Sequence, residues 1–436
     1  MSNQNILKNF IKYSLSNVLG MVGLSCYILA DTYFIATGVG ADGLAALNLA
    51  IPAYSFIHGI SMLLGIGGVT KYAIFKSQKF DNKANGIFTD TIFLALIISL
   101  IFMGIGYFYS DSIARFMGAD KEIFDMTNTY LKVMLLFTPL FIINEILMCF
   151  VRNDSYPRLA MIAMLVGSFS NIILDYIFIF EFKLGIFGAV LATGVSPIIS
   201  MLLISSHFIR KNNNFHLVKD KIKMTAIKSI FSLGIPSLIT ELSAGVIMIV
   251  FNLIILNLEG NIGVAAYGVI ANISIVVTAI FAGIAQGIQP LITSAYGNNE
   301  VQTIKKIVKY AMVTMASLSV MIYASTVIFA DPITMIFNSE NNKKLQEIAT
   351  TGLKIYFTSG IFIGFNIIIS MYFTSTDNPA PAQIISLVRG FFLILPLALL
   401  LSMSFGIIGV WITVPLTEAI VAFLALFYIT KKKRSF

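Results

Sequence analysis

Twelve mainly apolar stretches follow one another along this 436-residue chain, separated by short polar or Gly/Pro breaks. A helix needs about 20 such residues to cross the hydrocarbon core of a bilayer. The stretches lie near 13–37, 44–74, 87–109, 126–150, 157–181, 185–209, 229–256, 262–296, 308–329, 349–375, 382–404 and 406–430. Spans two and eight are long enough to require tilt or extension past the bilayer. Only a break at Ser402 to Gly406 divides the last two. Charged residues make up 11% of the chain, against about 25% in a soluble domain. With mean hydropathy at +0.88, a soluble body would expose an aggregating surface, and the soluble reading is excluded.

The net charge of +8 does not point to nucleic acid, because the basic residues fall in short clusters between apolar runs. With both termini in the cytoplasm, seven of the 29 Lys and Arg lie outside: Arg115, Lys121, Lys132, Lys183, Lys343, Lys344 and Lys354. The other 22, Lys221 and Lys431 to Arg434 among them, lie inside, as the positive-inside rule requires of an even number of spans. Cys26 and Cys149 are far apart within apolar segments and read as small core residues. No short apolar run ending at a small-residue cleavage site follows the polar N-terminus, so no removable signal peptide is expected. The absence of a G-x-x-x-x-G-K-[ST] loop argues against ATP-driven transport. Without H-E-x-x-H or a Ser/His/Asp set, no enzyme and no cofactor are expected.

Offset by about 220 residues, the chain matches itself weakly but in order. Ser14 falls over Ser232, Gly43 over Gly263, Gly65 over Gly283, Pro157 over Pro379 and Gly185 over Gly406. Six spans per half is an even number, so both halves insert the same way up. The expectation is an all-α polytopic protein of twelve transmembrane helices. Two pseudo-symmetric six-helix bundles form a parallel repeat around a central cavity. The N-terminal lobe would be 1–212, the linker 213–228 and the C-terminal lobe 229–436. Such a body suits a secondary transporter working as a monomer.

Ionisable groups at bilayer depth are costly and face a cavity or a partner. Asp31 and Asp175 each sit six residues from the outer end of a span, roughly 9 Å deep, and Thr193 about 12 Å deep. Asn171 shares a helix face with Asp175, one turn deeper. These hard oxygen donors suit Na⁺, while two carboxylates at one site can instead hold a proton between them. Glu241, after Gly234 to Ser237, is a possible cavity acid of the C-terminal lobe, and Glu418 is similarly deep. Glu145 is expected to pair with Arg152. Arg389 reads as a structural charge on the cytoplasmic side and His58 as a packing histidine.

Several segments resemble the multidrug and toxic compound extrusion (MATE) family, within it the bacterial branch related to DNA-damage-inducible F proteins. They are Leu29 to Pro52, with an acid followed by Thr at the end of span one, and "VRNDSYPRLAM" with "NIILDYIFIF" in spans four and five. "GIPSLITEL" opens span seven, and Gly283 to Glu300 covers span eight. The resemblance spans essentially the whole chain. It implies a V-shaped pair of bundles in a bacterial plasma membrane, exporting amphipathic, often cationic, drugs in exchange for Na⁺ or H⁺ by alternating access. It carries the coupling-ion site onto Asp31, Asn171, Asp175 and Thr193, and Glu241 onto the seventh-span acid of the NorM-like branch. That branch also uses an acid in span ten, where this chain offers Asn366, which favours coupling in the N-terminal lobe. A lipid-linked oligosaccharide flippase of the same superfamily is the alternative. It would need cavity cations that the N-terminal spans lack at mid-depth.

Overall fold

The computed structural model describes residues 3–219, 223–338 and 341–433. Lys221, Arg434 and linker residues 220–222 therefore lie outside the described residues, as do the side chains of Lys432 and Lys433. The chain runs as α1 (Asn3–Gly38), α2 (Ala41–Ser77), α3 (Asp81–Phe116), α4 (Phe124–Leu136), α5 (Thr138–Asn153), α6 (Pro157–Tyr176) and α7 (Gly185–Ile209). It continues as α8 (Met224–Gly297), α9 (Val301–Ile328), α10 (Ala330–Phe337), α11 (Lys343–Tyr356), α12 (Gly360–Ser375), α13 (Pro379–Leu387) and α14 (Ile394–Lys433). No strand occurs among the described residues.

Nine of these helical stretches are, among the described residues, long and apolar enough to cross a membrane. Two of the nine contain two crossings each, because α8 breaks at Gly260 and the Pro379–Lys431 stretch breaks at Gly406. The α4–α5 pair adds a crossing bent by 48°. Pro139, at the second position of α5, has no N–H to continue the ladder from α4. Twelve crossings result. The tenth, α11 into α12, is interrupted by a 3₁₀ turn at Phe357–Ser359. α2 has 37 residues, about 55 Å of helix, and overruns the ~30 Å hydrocarbon core as its length predicted.

The repeat is visible in the breaks. α6 and α13 each begin on a proline, Pro157 and Pro379, and each runs into a π turn, Ile177–Glu181 and Val388–Phe392. Left-handed glycines punctuate both halves at Gly40 (φ 97°) and Gly260 (φ 66°), then at Gly185 (φ 57°) and Gly406 (φ 58°). The members of these two pairs stand 220 and 221 residues apart.

The halves meet along a seam near the end that carries the N-terminus. There α8 packs against α1 and α2 with almost no side chain between them. A Cβ on Gly234 would stand 2.8 Å from Leu63 Cα, and one on Gly283 or Gly287 would stand 2.7 Å from Val18 Cα or Ser14 Cα. Only glycine permits this approach, and the seam closes the fold at this end. Lys71 Nζ ties its rim to Asp377 Oδ2 at 2.8 Å.

The segment after α7 looks polar but is pinned. Phe215 is fully buried, its ring 4.9 Å from Phe88 and 5.5 Å from Phe150. Asp154 accepts from His207 Nε2 and from Asn214 N and Nδ2, each at 2.8 Å. His216 N donates to Asn85 Oδ1 (3.1 Å) and Val218 N to Thr89 Oγ1 (3.0 Å). Residues 213–218 are thus fastened to the first half of the chain, and helix resumes at Met224, five residues before the expected 229.

Candidate functional site

Asp31 lies on α1 and Asp175 on the last turn of α6, and α1 packs along α6. Both are buried, at 7% and 0% exposure, with their carboxyl groups in hydrogen-bonding contact. Two carboxyl groups can meet in this way by holding a proton or a cation between them. One oxygen of each, Oδ1, has no partner. No basic side chain pairs with either among the described residues.

Asn171 and Thr193 complete the group. With its amide turned to satisfy both neighbours, Asn171 donates to Asp175 Oδ2 (3.0 Å) and accepts from the Thr193 N–H (3.2 Å). Thr193 Oγ1 donates to Ala189 O at 3.2 Å. The four residues chosen from depth and helix phase therefore stand in one place. The π turn starts two residues past Asp175, and such turns commonly mark sites where a helix is locally re-aimed. Aromatic rings cover this end of the site, with Phe34 and Phe180 edge to face at 5.8 Å and Tyr176 beside Phe180 at 5.5 Å.

Three tyrosines were missed by sequence reasoning. Tyr130, buried on α4, reaches the Thr193 hydroxyl. Tyr27, one turn before Asp31, shares a 2.9 Å hydroxyl contact with Tyr54 of α2. An aromatic residue inside an apolar run carries no signal of this kind. Tyr27's spacing of four from Asp31 was the one available clue. Tyr27, Tyr54, His58, Glu145 and Thr193 line a cavity of about 90 Å³ within the first half of the fold.

Glu241 and Glu418 differ from this pair because each has a cationic or ionisable partner. His58 Nδ1 is 3.1 Å from Glu241 Oε2, joining α2 to the first part of α8 where the two helices pack together. His58 is thus a partner of Glu241 and more than a packing histidine. Glu418 is buried, paired with Arg389, and accepts from Asn366 Nδ2 at 2.7 Å. Arg389 closes a charge-paired triad inside the second half, and Asn366 serves that triad. The expected Glu145–Arg152 pair is absent. Arg152 donates instead to Asn17 Oδ1 and Gln286 Oε1, because these acceptors meet it in the seam while Cys149 stands between it and Glu145.

Comparison with known proteins places this geometry. The MatE family model matches residues 18–177 and 236–400. The multidrug export protein MepA of Staphylococcus haemolyticus (strain JCSC1435) is 28% identical over 427 residues, covering 98% of this chain and 93% of MepA. MepA of Staphylococcus aureus (strain MRSA252) is 27% identical over 425 residues, covering 97% and 93%. Among solved structures, an outward-facing multidrug resistance MATE family transporter of the MOP superfamily superposes with a TM-score of 0.92 at 22% identity, over 98% of this chain and 96% of that one. A MOP superfamily transporter from Pyrococcus furiosus Vc1, described as having a binding pocket of reverse polarity, gives 0.90 at 23% identity, over 98% and 95%. The two stretches matched by the family model cover most of both halves, and the chain belongs to the MatE family of multi-pass membrane transporters.

Proposed function

We propose that the protein is a secondary active multidrug efflux antiporter of a bacterial plasma membrane. It would export amphipathic, often cationic, compounds in exchange for Na⁺ or H⁺. The observation that carries this reading is the Asp31–Asp175 pair: two buried carboxyl groups, an unpartnered oxygen on each, and no counter-cation among the described residues. Asn171 and Thr193 extend the set of oxygen donors. The site can hold Na⁺ between two ionised carboxylates or a proton shared by the pair, so either ion can serve as driver. The MepA relatives are named as multidrug exporters, which supports the choice of cargo.

The two halves, the first carried through to Val218 and the second beginning at Met224, act as rocking bodies joined by the short connection between those residues. In this reading both termini and the sealed seam lie on the cytoplasmic side, so parting the seam opens the inward path. Ion entry at the acid pair repacks α1 and expels the drug; ion release inward restores drug binding. Asp31 and Asp175 are the coupling acids. Glu241, held by His58, is a cavity acid of the second lobe. A lipid-linked oligosaccharide flippase is the weaker reading, since the 90 Å³ cavity is lined by Glu145 and aromatic rings, with no Lys or Arg to receive a pyrophosphate.

Efflux from proteoliposomes under imposed Na⁺ or pH gradients tests the proposal and names the ion. Asp31→Asn and Asp175→Asn are each expected to abolish gradient-driven efflux while leaving elution behaviour and helix content native. Intact efflux by both variants at normal expression would refute the coupling role.

A further inference from the structure

A second buried polar cluster lies at the sealed end, away from the acid pair. Arg152 on α5 is 2% exposed. Its Nη1 donates to Asn17 Oδ1 of α1 (2.5 Å) and to Gln286 Oε1 of α8 (2.8 Å), and its Nη2 to Cys149 Sγ (3.2 Å). Nε has no partner, and no carboxylate forms an ion pair with the guanidinium among the described residues. The adjacent Asn153 Nδ2 donates to Gln289 Oε1 (2.8 Å), and Gln289 Nε2 donates to Thr70 Oγ1 of α2 (3.1 Å). Gln286 and Gln289 are three residues apart on one face of α8. Through them the polar cluster crosses from the first half of the chain to the second.

A guanidinium held away from water by neutral acceptors alone is an expensive way to join two helices, and an apolar pair would join them more tightly. Parting the seam would hydrate Arg152 and remove Gln286. On the same face of α5, seven residues back, Glu145 forms no ion pair among the described residues and lines the 90 Å³ cavity. Cys149 alone stands between them, its Sγ 3.6 Å from Glu145 Oε1 and 3.2 Å from Arg152 Nη2.

The geometry points to Arg152 as the latch of the sealed end, exchanging Gln286 for Glu145 when the lobes part there. Seam opening and the charge offered to the cavity are then linked. With the seam sealed, Glu145 faces the cavity with Cys149 Sγ as its one side-chain hydrogen-bond partner among the described residues. With the seam open, Arg152 neutralises it. An organic cation held by Glu145 competes with Arg152 for the same carboxylate, and so favours the sealed arrangement by its differential affinity. Arg152 is a positioning residue in this scheme and does not touch the cargo. The scheme deepens the antiport reading and rests on it for its purpose.

The full-length chain carrying Cys26→Ser and Ser14→Cys reports the seam, since Ser14 is buried against Gly287 and its hydroxyl has no partner. The rate of labelling by a polar maleimide is read against the same chain without Ser14→Cys. Arg152→Gln raises the rate about tenfold, as loss of a charge-assisted bond across the seam requires. Arg152→Lys gives an intermediate rate. Glu145→Gln lowers the rate about threefold, because the open arrangement loses its charged pair. The double variant labels like Arg152→Gln alone, and saturating tetraphenylphosphonium slows labelling of the parent but not of Glu145→Gln. Should Arg152→Gln fail to fold, Gln286→Leu, which removes only the acceptor across the seam, must also raise the rate. A native rate in Glu145→Gln, additive behaviour in the double variant, or unchanged labelling in the folded Arg152→Gln or Gln286→Leu chain overturns the latch. The readout needs no transport, so failed efflux with an intact labelling pattern would count against the antiport reading alone.

Discussion

Gly283→Ala should unseal the seam without touching the acid pair. The added Cβ would lie 2.7 Å from Val18 Cα and 2.8 Å from Val18 N, where ordinary contact begins at 3.4 Å. Both obstacles are backbone, so no side chain can rotate away, and α1 and α8 must separate by about 0.7 Å at this point. Overpacking of this size costs about 1–3 kcal/mol, and only the sealed arrangement bears the cost. The ratio of open to sealed molecules should therefore rise by roughly 5- to 150-fold. Maleimide labelling at Ser14→Cys reads this ratio, as does the distance between spin labels on the exposed ends of α2 and α9. Gly104→Ala is the control, because a Cβ there meets nothing within 4 Å. Native labelling and native distances in a folded Gly283→Ala protein would refute the claim that glycine contact sets the seam.

Two further outcomes concern stability. Glu418→Ala strands Arg389 in the second half and should cost about 3–5 kcal/mol, seen as a lower melting temperature in detergent, while Glu418→Gln with Arg389→Met recovers most of it. Phe215→Ala removes a fully buried ring from the junction of α2, α3 and α5 and should cost about 3–5 kcal/mol, with earlier proteolysis between α7 and α8; native protease resistance would count against the pinned segment.

How much of this could be read from the residues depends on whether the determining contact is local. Helix length and apolar content are local properties, so hydropathy located the spans, and the break near Gly406 was legible from Gly and Ser alone. The grouping of Asp31, Asn171, Asp175 and Thr193 was legible because depth in a bilayer is a shared coordinate that each span reports independently. Partner choice across the seam was not. Arg152 has a carboxylate seven residues away on its own helix, which a local reading takes as its partner; the acceptor it finds, Gln286, is 134 residues distant. His58 and Glu241 were judged singly for the same reason, although they meet at 3.1 Å between α2 and α8. The π turns left no trace in hydropathy, since one extra residue in a uniformly apolar run changes helical phase without changing composition.

The fastening of Phe215 has a mechanical consequence. With residues 213–218 held to the first half, the chain has only the stretch from Val218 to the start of α8 at Met224 to span between the halves. Six residue steps reach at most about 20–22 Å when drawn straight. Whatever the angle of the swing, the head of α8 can travel no farther than that from Val218, which is anchored at Thr89 near the start of α3, and the chain sets its own stop.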